Sequence, residues 1–562
     1  MITSSPERIA ELTRAGHWGT VLLHDLLRDA ASENPDQLAV ADPPNREELT
    51  GGAGHRLRYA ELEAAVTRLA ADLLSRGIGP GDTLLVQLPN VAELVASYFA
   101  ASLVGAIISP LPVQYGAHEL RKAAETVSPA AMLTVERMKT QPLARVAREA
   151  LGTVPVFTFS TDSEPDGDAL RLQGQCDEAR REAVQAHLAA RSADANEVLT
   201  ICWTSGTTGT PKGVPRSHNM WLATARTSSE AGGYRAGDRL LNPFPIVNMA
   251  ALGGFLFPFT MKHCSLVLHH PFDPAVFLRQ IQDERITFTI VPPAVLNQLA
   301  RDEALWQRFD FSALRRVGSG SAPLSPWMVQ TFDDRYGKPI VNFYGSNEGI
   351  SLFSTPESSP VPEVRATMFP RLGHADMPWT GVAHDTVRNR VVNVETGEEI
   401  SRPGEPGELL FAGATVFDGY FGRDNGDVFT ADGWFRTGDL VEICGDPPHY
   451  YRIVGRCKDI INRGGMKISP TEIDILLEGF AGIAEGAVCA YPDPDLGERM
   501  CACVVPPPGA EPPELEAINA YLLEKGLAKF KLPERLLVLD ALPRNPVGKV
   551  QRHELEKKVQ ST

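Results

Sequence analysis

With 562 residues the chain is too long for one ordinary core, so two or more domains are expected. Its 43% hydrophobic and 22% charged content is that of a soluble globular protein. A net charge of −16 excludes the usual nucleic-acid binder, and an acidic protein that holds a polyanion must gather its cations locally.

The first residues, MITSSPERIAELTRAGHW, lack the apolar core of a signal peptide. Residues 84–88 read as a strand and residues 90–104 as a helix. The stretch 94–118 carries no formal charge apart from histidine protonation and is long enough to span a membrane. Gly105, Pro110 and Pro112 interrupt it, however, and Ser97, Ser102 and Ser109 are polar. The reading is a buried helix followed by a short strand at 106–108, with no membrane span.

Residues 198–203 read as a buried strand, and TSGTTGTPK follows from Thr204 to Lys212. Glycine permits close backbone approach, hydroxyls and N–H groups bind oxygens, and the lysine supplies charge. That is chemistry for a polyphosphate, although the common GxxxxGK[ST] loop cannot be fitted here. A flexible linker is the alternative, but linkers rarely follow a buried strand.

Further strands are read at 288–291, closed by Pro292 and Pro293, and at 340–344. Each leads into a turn and a helical pattern, the signature of an α/β fold. Ligands in such folds gather at the carboxyl ends of strands. The TSGTTG loop, residues 318–324 and residues 344–348 all lie there and point to one shared site. Near residue 400 the texture changes: Gly404, Gly407, Gly413, Gly419, Gly422 and Gly433 punctuate a small β region. After Gly455 a compact unit begins, with helices near 470–479 and 514–525 and strands near 486–491, 499–505 and 536–540. Eight cysteines lie scattered without a CxxC pair and read as buried free thiols in a reducing cytoplasm. Cys501 and Cys503 would face one side of a strand. His269, His270 and the other histidines show no metal-ligand spacing.

Five segments occur in order: TSGTTGTPKG from Thr204, YGSNE at 344–348, RTGDL at 436–440, GR at 455–456 and PVGK at 546–549. The set resembles the adenylate-forming superfamily of acyl- and aryl-CoA synthetases, peptide-synthetase adenylation domains and luciferases, over nearly the whole chain. In texture it is most similar to stand-alone aryl-acid–AMP ligases, through Gly16, His17 and Trp18, LVQLPNVAEL at 85–94 and KDIINRGG at 458–465. Those enzymes load a carrier protein's phosphopantetheine. The resemblance implies an α/β chain with two parts. Residues 1–457 form a large N-terminal adenylation domain of α/β subdomains plus a β region, and residues 458–562 a small mobile C-terminal α+β domain.

The resemblance also implies two half-reactions. A carboxylate attacks the α-phosphate of ATP to give an acyl-adenylate and pyrophosphate, and a thiol then takes the acyl group and releases AMP. Ser205, Thr207, Thr208 and Lys212 would hold the β- and γ-phosphates, with Thr204, Gly206 and Gly209 as further ATP-binding residues of the same segment. Glu348 would bind Mg²⁺. Tyr344 would stack on adenine, in a cradle made by Ser321, Ala322, Pro323, Asn342, Phe343, Gly345, Ser346 and Asn347. Asp439 would accept from the ribose hydroxyls, and Arg456 would touch ribose or phosphate. Lys549 would bridge the substrate carboxylate and the α-phosphate. Read without the resemblance, Tyr344 also fits a core aromatic, Asp439 a cap and Lys549 a surface charge. Lys458 aligns with the family hinge, and Gly464, Gly465 and Lys467 would line the thiol's entry.

The acyl pocket departs from the dihydroxybenzoate enzymes, which place a His-Asn pair where this chain has Asn248 and Met249. Methionine cannot replace the amide that reads a 2-hydroxyl. With Gly253, Ser319 and Gly320 as further walls, the expected substrate is a bulky, mostly apolar acid: aryl, alicyclic or polycyclic. Close helix packing is the other reading of the small residues. The leading function is an acid–thiol ligase using ATP, Mg²⁺ and CoA. Transfer to a carrier protein or separate enzyme is an alternative, and a catalytically silent binding homologue is another class. No nucleic-acid partner is expected. The resemblance makes a homodimer the expected assembly.

Overall fold

The computed structural model describes residues 1–160, 169–172, 176–204, 211–320, 323–464, 466–544 and 550–561. Four sheets organise the described residues. Strands Thr83–Gln87, Ile107–Pro110, Ala131–Val135 and Val156–Phe159 pair in parallel in a 7-stranded sheet, which continues through Val198–Thr204 to an antiparallel edge, Lys212–Ser217. An 8-stranded sheet carries Arg239–Asn242, Ser265–Leu268, Phe288–Ile290, Arg316–Gly320 and Ile340–Gly345, again parallel through its middle. Parallel strands are covered on both faces, which is why they read as near-continuous apolar runs.

Helix Ala92–Val104 packs between these sheets, in a cluster that takes residues from both. All its residues except Leu103 are buried, so it has no polar face, as expected of a helix in the middle of a core. Gly105 ends it in the left-handed region at φ 82°, and a Cβ there would lie 2.5 Å from the Arg191 guanidinium carbon. The long uncharged run is thus a core helix, a left-handed stop and a strand. Among the described residues no helix is long and apolar enough to cross a membrane.

The glycine-punctuated region forms an antiparallel 5-stranded sheet containing Val387–Val392, Gly407–Gly413, Phe435–Cys444 and Tyr450–Arg456. The fourth sheet belongs to a small C-terminal domain. Strands Glu485–Asp493 and Gly497–Val505 pair there, backed by helices Pro470–Leu477 and Leu515–Glu524. Cys489, Cys501 and Cys503 are buried together on one face of this pair as free thiols. The expected strand near 536–540 is Arg535–Val538, parallel to Gly497–Val505.

Candidate active site

Three sheets meet at the turn that follows strand Ile340–Gly345. Asn347 lies in that turn, and its Nδ2 donates to the Trp203 carbonyl at 3.1 Å, near the carboxyl end of Val198–Thr204. Its Oδ1 accepts from the Met249 backbone N–H at 2.8 Å. One side-chain amide therefore ties together the phosphate-loop strand, the adenine turn and the acyl-pocket segment expected from the sequence. Thr204 and Lys212 are cross-strand partners and flank residues 205–210, which lie outside the described residues.

Two aromatic hydroxyls join the turn and the end of its strand to the antiparallel sheet and its loop. Tyr420 donates to Glu348 Oε1 at 2.9 Å, and Lys212 Nζ lies 4.5 Å from the Tyr420 ring centroid. Burial and the Glu348 carboxylate push the Tyr420 hydroxyl far above its ordinary range, so it remains a donor across neutral pH. Glu348 is only 9% exposed. The Tyr344 hydroxyl donates to Asp439 Oδ2, and burial together with that carboxylate raises its pKa as well. Arg456 Nε pairs with Asp439 Oδ1 at 2.8 Å, the two residues facing each other across Phe435–Cys444 and Tyr450–Arg456.

Backbone approach fixes the Glu348 turn. Gly349 has φ 107°, and a Cβ there would lie 2.0 Å from the Thr415 carbonyl oxygen. Thr415 Oγ1 donates to the Gly349 carbonyl at 2.7 Å, and the Phe417 N–H to the Glu348 carbonyl at 2.9 Å. The loop carrying Thr415, Phe417 and Tyr420 is thus moulded onto the carboxylate's own turn.

Other expected site residues have neighbouring structure as partners. Asn342 donates to the Arg365 and Ala366 carbonyls at 3.2 and 2.9 Å, and Phe343 packs edge-on against Phe288 and Phe353. Ser319 donates to the Val291 carbonyl at 2.8 Å, while a Cβ on Gly320 would lie 2.2 Å from the Phe343 carbonyl oxygen. Asn248 caps the short helix Met249–Ala251. A π-helix, Leu252–Leu256, follows, and its Gly253 and Gly254 carbonyls accept from the Ser228 and Tyr234 hydroxyls. A Cβ on Gly253 would lie 2.7 Å from Thr224 Cγ2, a close approach to helix His218–Gly232. Gly345 is closely packed as well, and the Ser346 hydroxyl is buried without a partner among the described residues.

Lys458 occupies a single 3-10 turn, Cys457–Asp459, between Tyr450–Arg456 and Ile461–Arg463, and its Nζ lies 3.8 Å from Asp459. Gly464 is left-handed at φ 57°, and its N–H donates to the Leu496 carbonyl at 2.7 Å. The backbone of Lys467 lies in strand Met466–Ile468, and Pro323 is exposed. Ser205, Gly206, Thr207, Thr208, Gly209, Ser321, Ala322, Gly465, Lys549 and the side chain of Lys467 lie outside the described residues.

Nothing in the sequence marks Thr415, and Tyr420 is signalled only by its place between Gly419 and Gly422. A cluster containing one histidine is hidden in the same way. Asp42, His55 and Glu93 gather their ligand atoms within 4.8 Å of one another, a spacing that separation along the chain hides. Arg46 is part of this group, paired with Glu93 at 2.5 Å and Asp42 at 3.5 Å, so a buried cation already offsets part of the carboxylates' charge.

Residues 27–421 match the AMP-binding enzyme family, and residues 472–549 the AMP-binding enzyme C-terminal domain. A salicylyl-CoA synthase / salicylate adenylyltransferase from Streptomyces sp is 30% identical, with 98% of this chain and 96% of that protein covered. A 2-hydroxy-7-methoxy-5-methyl-1-naphthoate–CoA ligase from Streptomyces carzinostaticus is 32% identical over 97% and 94%. Among solved structures, ATP-bound MatB from Rhodopseudomonas palustris superposes with a TM-score of 0.78 at 26% identity. That comparison covers 96% of this chain and 99% of the other.

Proposed function

Because this chain belongs to the AMP-binding enzyme family, we propose the following division of labour among its residues. The protein is an adenylate-forming acid–thiol ligase. ATP and a carboxylic acid give an acyl-adenylate and pyrophosphate, and a thiol of CoA or of a carrier protein then takes the acyl group and releases AMP. Such a reaction needs alignment and charge neutralisation more than covalent help from the protein.

Lys212 holds the β- and γ-phosphates together with the hydroxyls of Ser205, Thr207 and Thr208. Its ammonium sits over the ring of Tyr420, the tyrosine whose hydroxyl donates to the Glu348 carboxylate. Glu348 is a hard oxygen donor with no ion pair among the described residues, which fits a Mg²⁺ ligand; the ion, when bound, neutralises phosphate charge. Asp439 receives the ribose hydroxyls, held in place by Arg456 and the Tyr344 hydroxyl. Lys549 bridges carboxylate and α-phosphate. Residues 458–562 turn about Lys458 between the half-reactions, so that Gly464, Gly465 and Lys467 come to line the thiol's entry.

The acid is bulky and mostly apolar, and CoA is the acceptor. Met249 supports the first part, since its thioether adapts to irregular apolar shapes where a polar amide would select a hydroxyl. The naphthoate specificity in the name of one relative supports it too. The observation that carries the whole reading is the Asn347 amide, which holds the three expected subsites around one turn. Thioester formation across aryl, alicyclic, polycyclic and fatty acids, with CoA as the thiol, tests it. Turnover of bulky apolar acids is expected, and preference for salicylate would refute the pocket argument.

A further inference from the structure

Arg216 lies in strand Lys212–Ser217 and is 0% exposed. Its Nη2 donates to the Met220 carbonyl at 3.0 Å, to Thr224 Oγ1 at 2.7 Å and to the Thr415 carbonyl at 2.7 Å. The guanidinium carbon lies 3.9 Å from the Trp221 ring centroid. The other nitrogens are poorly served. Among the described residues Nη1 meets only Met249 Sδ, at 3.4 Å, and Nε is buried without a partner. No carboxylate among the described residues pairs with this cation, and burial lowers its pKa to about 9. A guanidinium presents five N–H donors, and a thioether is a weak acceptor. A buried cation in this state is stabilised by any strong acceptor brought to it.

Met249 separates this cation from the adenylation turn. Its backbone N–H is held by Asn347, its Cγ lies 3.8 Å from the position of a Cβ on Gly345, and its Sδ lies 3.1 Å from one on Gly253. The residue is partly exposed, and its unbranched chain has three rotatable bonds. Between Arg216 and Gly345 stands one flexible side chain.

We propose that Arg216 determines substrate specificity. Met249 swings aside, and Arg216 Nη1 donates a hydrogen bond to an oxygen on the body of the acyl group. The preferred acids are therefore bulky, mostly apolar rings that carry a hydroxyl, methoxy or carbonyl acceptor. This rests on the reading of residues 248–254 as the acyl pocket.

The test is acid-dependent ATP–pyrophosphate exchange with matched pairs, 1-naphthoate against its monohydroxy and monomethoxy derivatives. The wild-type protein is expected to favour the best oxygenated acid roughly 10- to 150-fold in kcat/KM, the range of one hydrogen bond to a charged group. Arg216→Met is expected to bring that ratio close to one, and Arg216→Lys to retain part of it, whatever the absolute rates. Met249→Ala leaves every Nη2 bond in place and is expected to raise the ratio. Equal losses for both members of each pair would make Arg216 a scaffold for the Thr415 loop and overturn the proposal. So would exchange in the wild type without preference within any pair, or a Met249→Ala ratio that stays put. Absence of exchange with every acid, parent or derivative, would instead overturn the proposed function beneath it.

Discussion

Replacing Tyr420 with phenylalanine removes the hydroxyl that bonds Glu348 and leaves the ring under the Lys212 ammonium. The lost bond is the 2.9 Å donation to Glu348 Oε1, a carboxylate only 9% exposed, so solvent screens it little. A hydrogen bond to a charged group contributes about 1.5–3 kcal/mol, which converts to roughly 10- to 150-fold in the step that uses it. Packing against Phe417 at 5.0 Å and the Lys212 contact at 4.5 Å are kept, so the fold is expected to survive. The assay separates the half-reactions. Pyrophosphate exchange reports adenylation, and synthetic acyl-adenylate plus CoA reports thioester formation alone. Tyr420→Phe is expected to slow the first by that factor and leave the second within about threefold, since only the first handles the β- and γ-phosphates. Equal effects on both halves, or none on exchange, would refute the placement of Glu348 at the phosphates.

Asn347→Leu keeps the volume and removes both amide bonds, to Trp203 and Met249. Exchange is expected to fall by about 100-fold while Tm drops by only a few degrees, read by thermal unfolding beside activity. Lys458→Pro stiffens the 3-10 turn between the two domains and is expected to impair thioester formation much more than exchange; equal loss would remove Lys458 as the hinge. Burial lowers His218 to about 3 and His24 to about 4, so both stay neutral in the fold. Because the unfolded chain binds these protons more readily, stability is lost as pH falls below 6.5 towards the folded values. At pH 5 that is about 2 kcal/mol for each histidine, and His218→Asn is expected to flatten the fall in Tm between pH 7 and 5.

Much of the fold is legible because sheet strands are short apolar runs and their turns are polar. The stretch 94–118 is the instructive case: absence of charge alone cannot distinguish core from membrane, and Gly105 and the serines decide it. Pairings across the chain are the illegible part. Asn347 sits in a recognisable motif, yet nothing in the sequence says that its amide reaches back to Trp203 and Met249, because periodicity reports a residue's face and not its partner. Arg216 reads as an ordinary charge near a strand end. Its burial follows from helix His218–Gly232 and the Thr415 loop closing over it, both tertiary events. The small pocket residues were ambiguous for a physical reason. Glycine serves open space and close approach equally well, and at Gly253 and Gly320 the neighbours are within contact.

The central claim is that this protein joins a carboxylic acid to AMP, and oxygen labelling tests it most directly. A bulky acid labelled with ¹⁸O in both carboxylate positions is turned over with ATP and CoA, and the products are read by mass spectrometry. The account predicts one ¹⁸O atom in the phosphate of AMP and none in pyrophosphate, because the carboxylate oxygen attacks the α-phosphorus and leaves with AMP when the thiol arrives. Label in inorganic phosphate, with ADP as the nucleotide product, would contradict it.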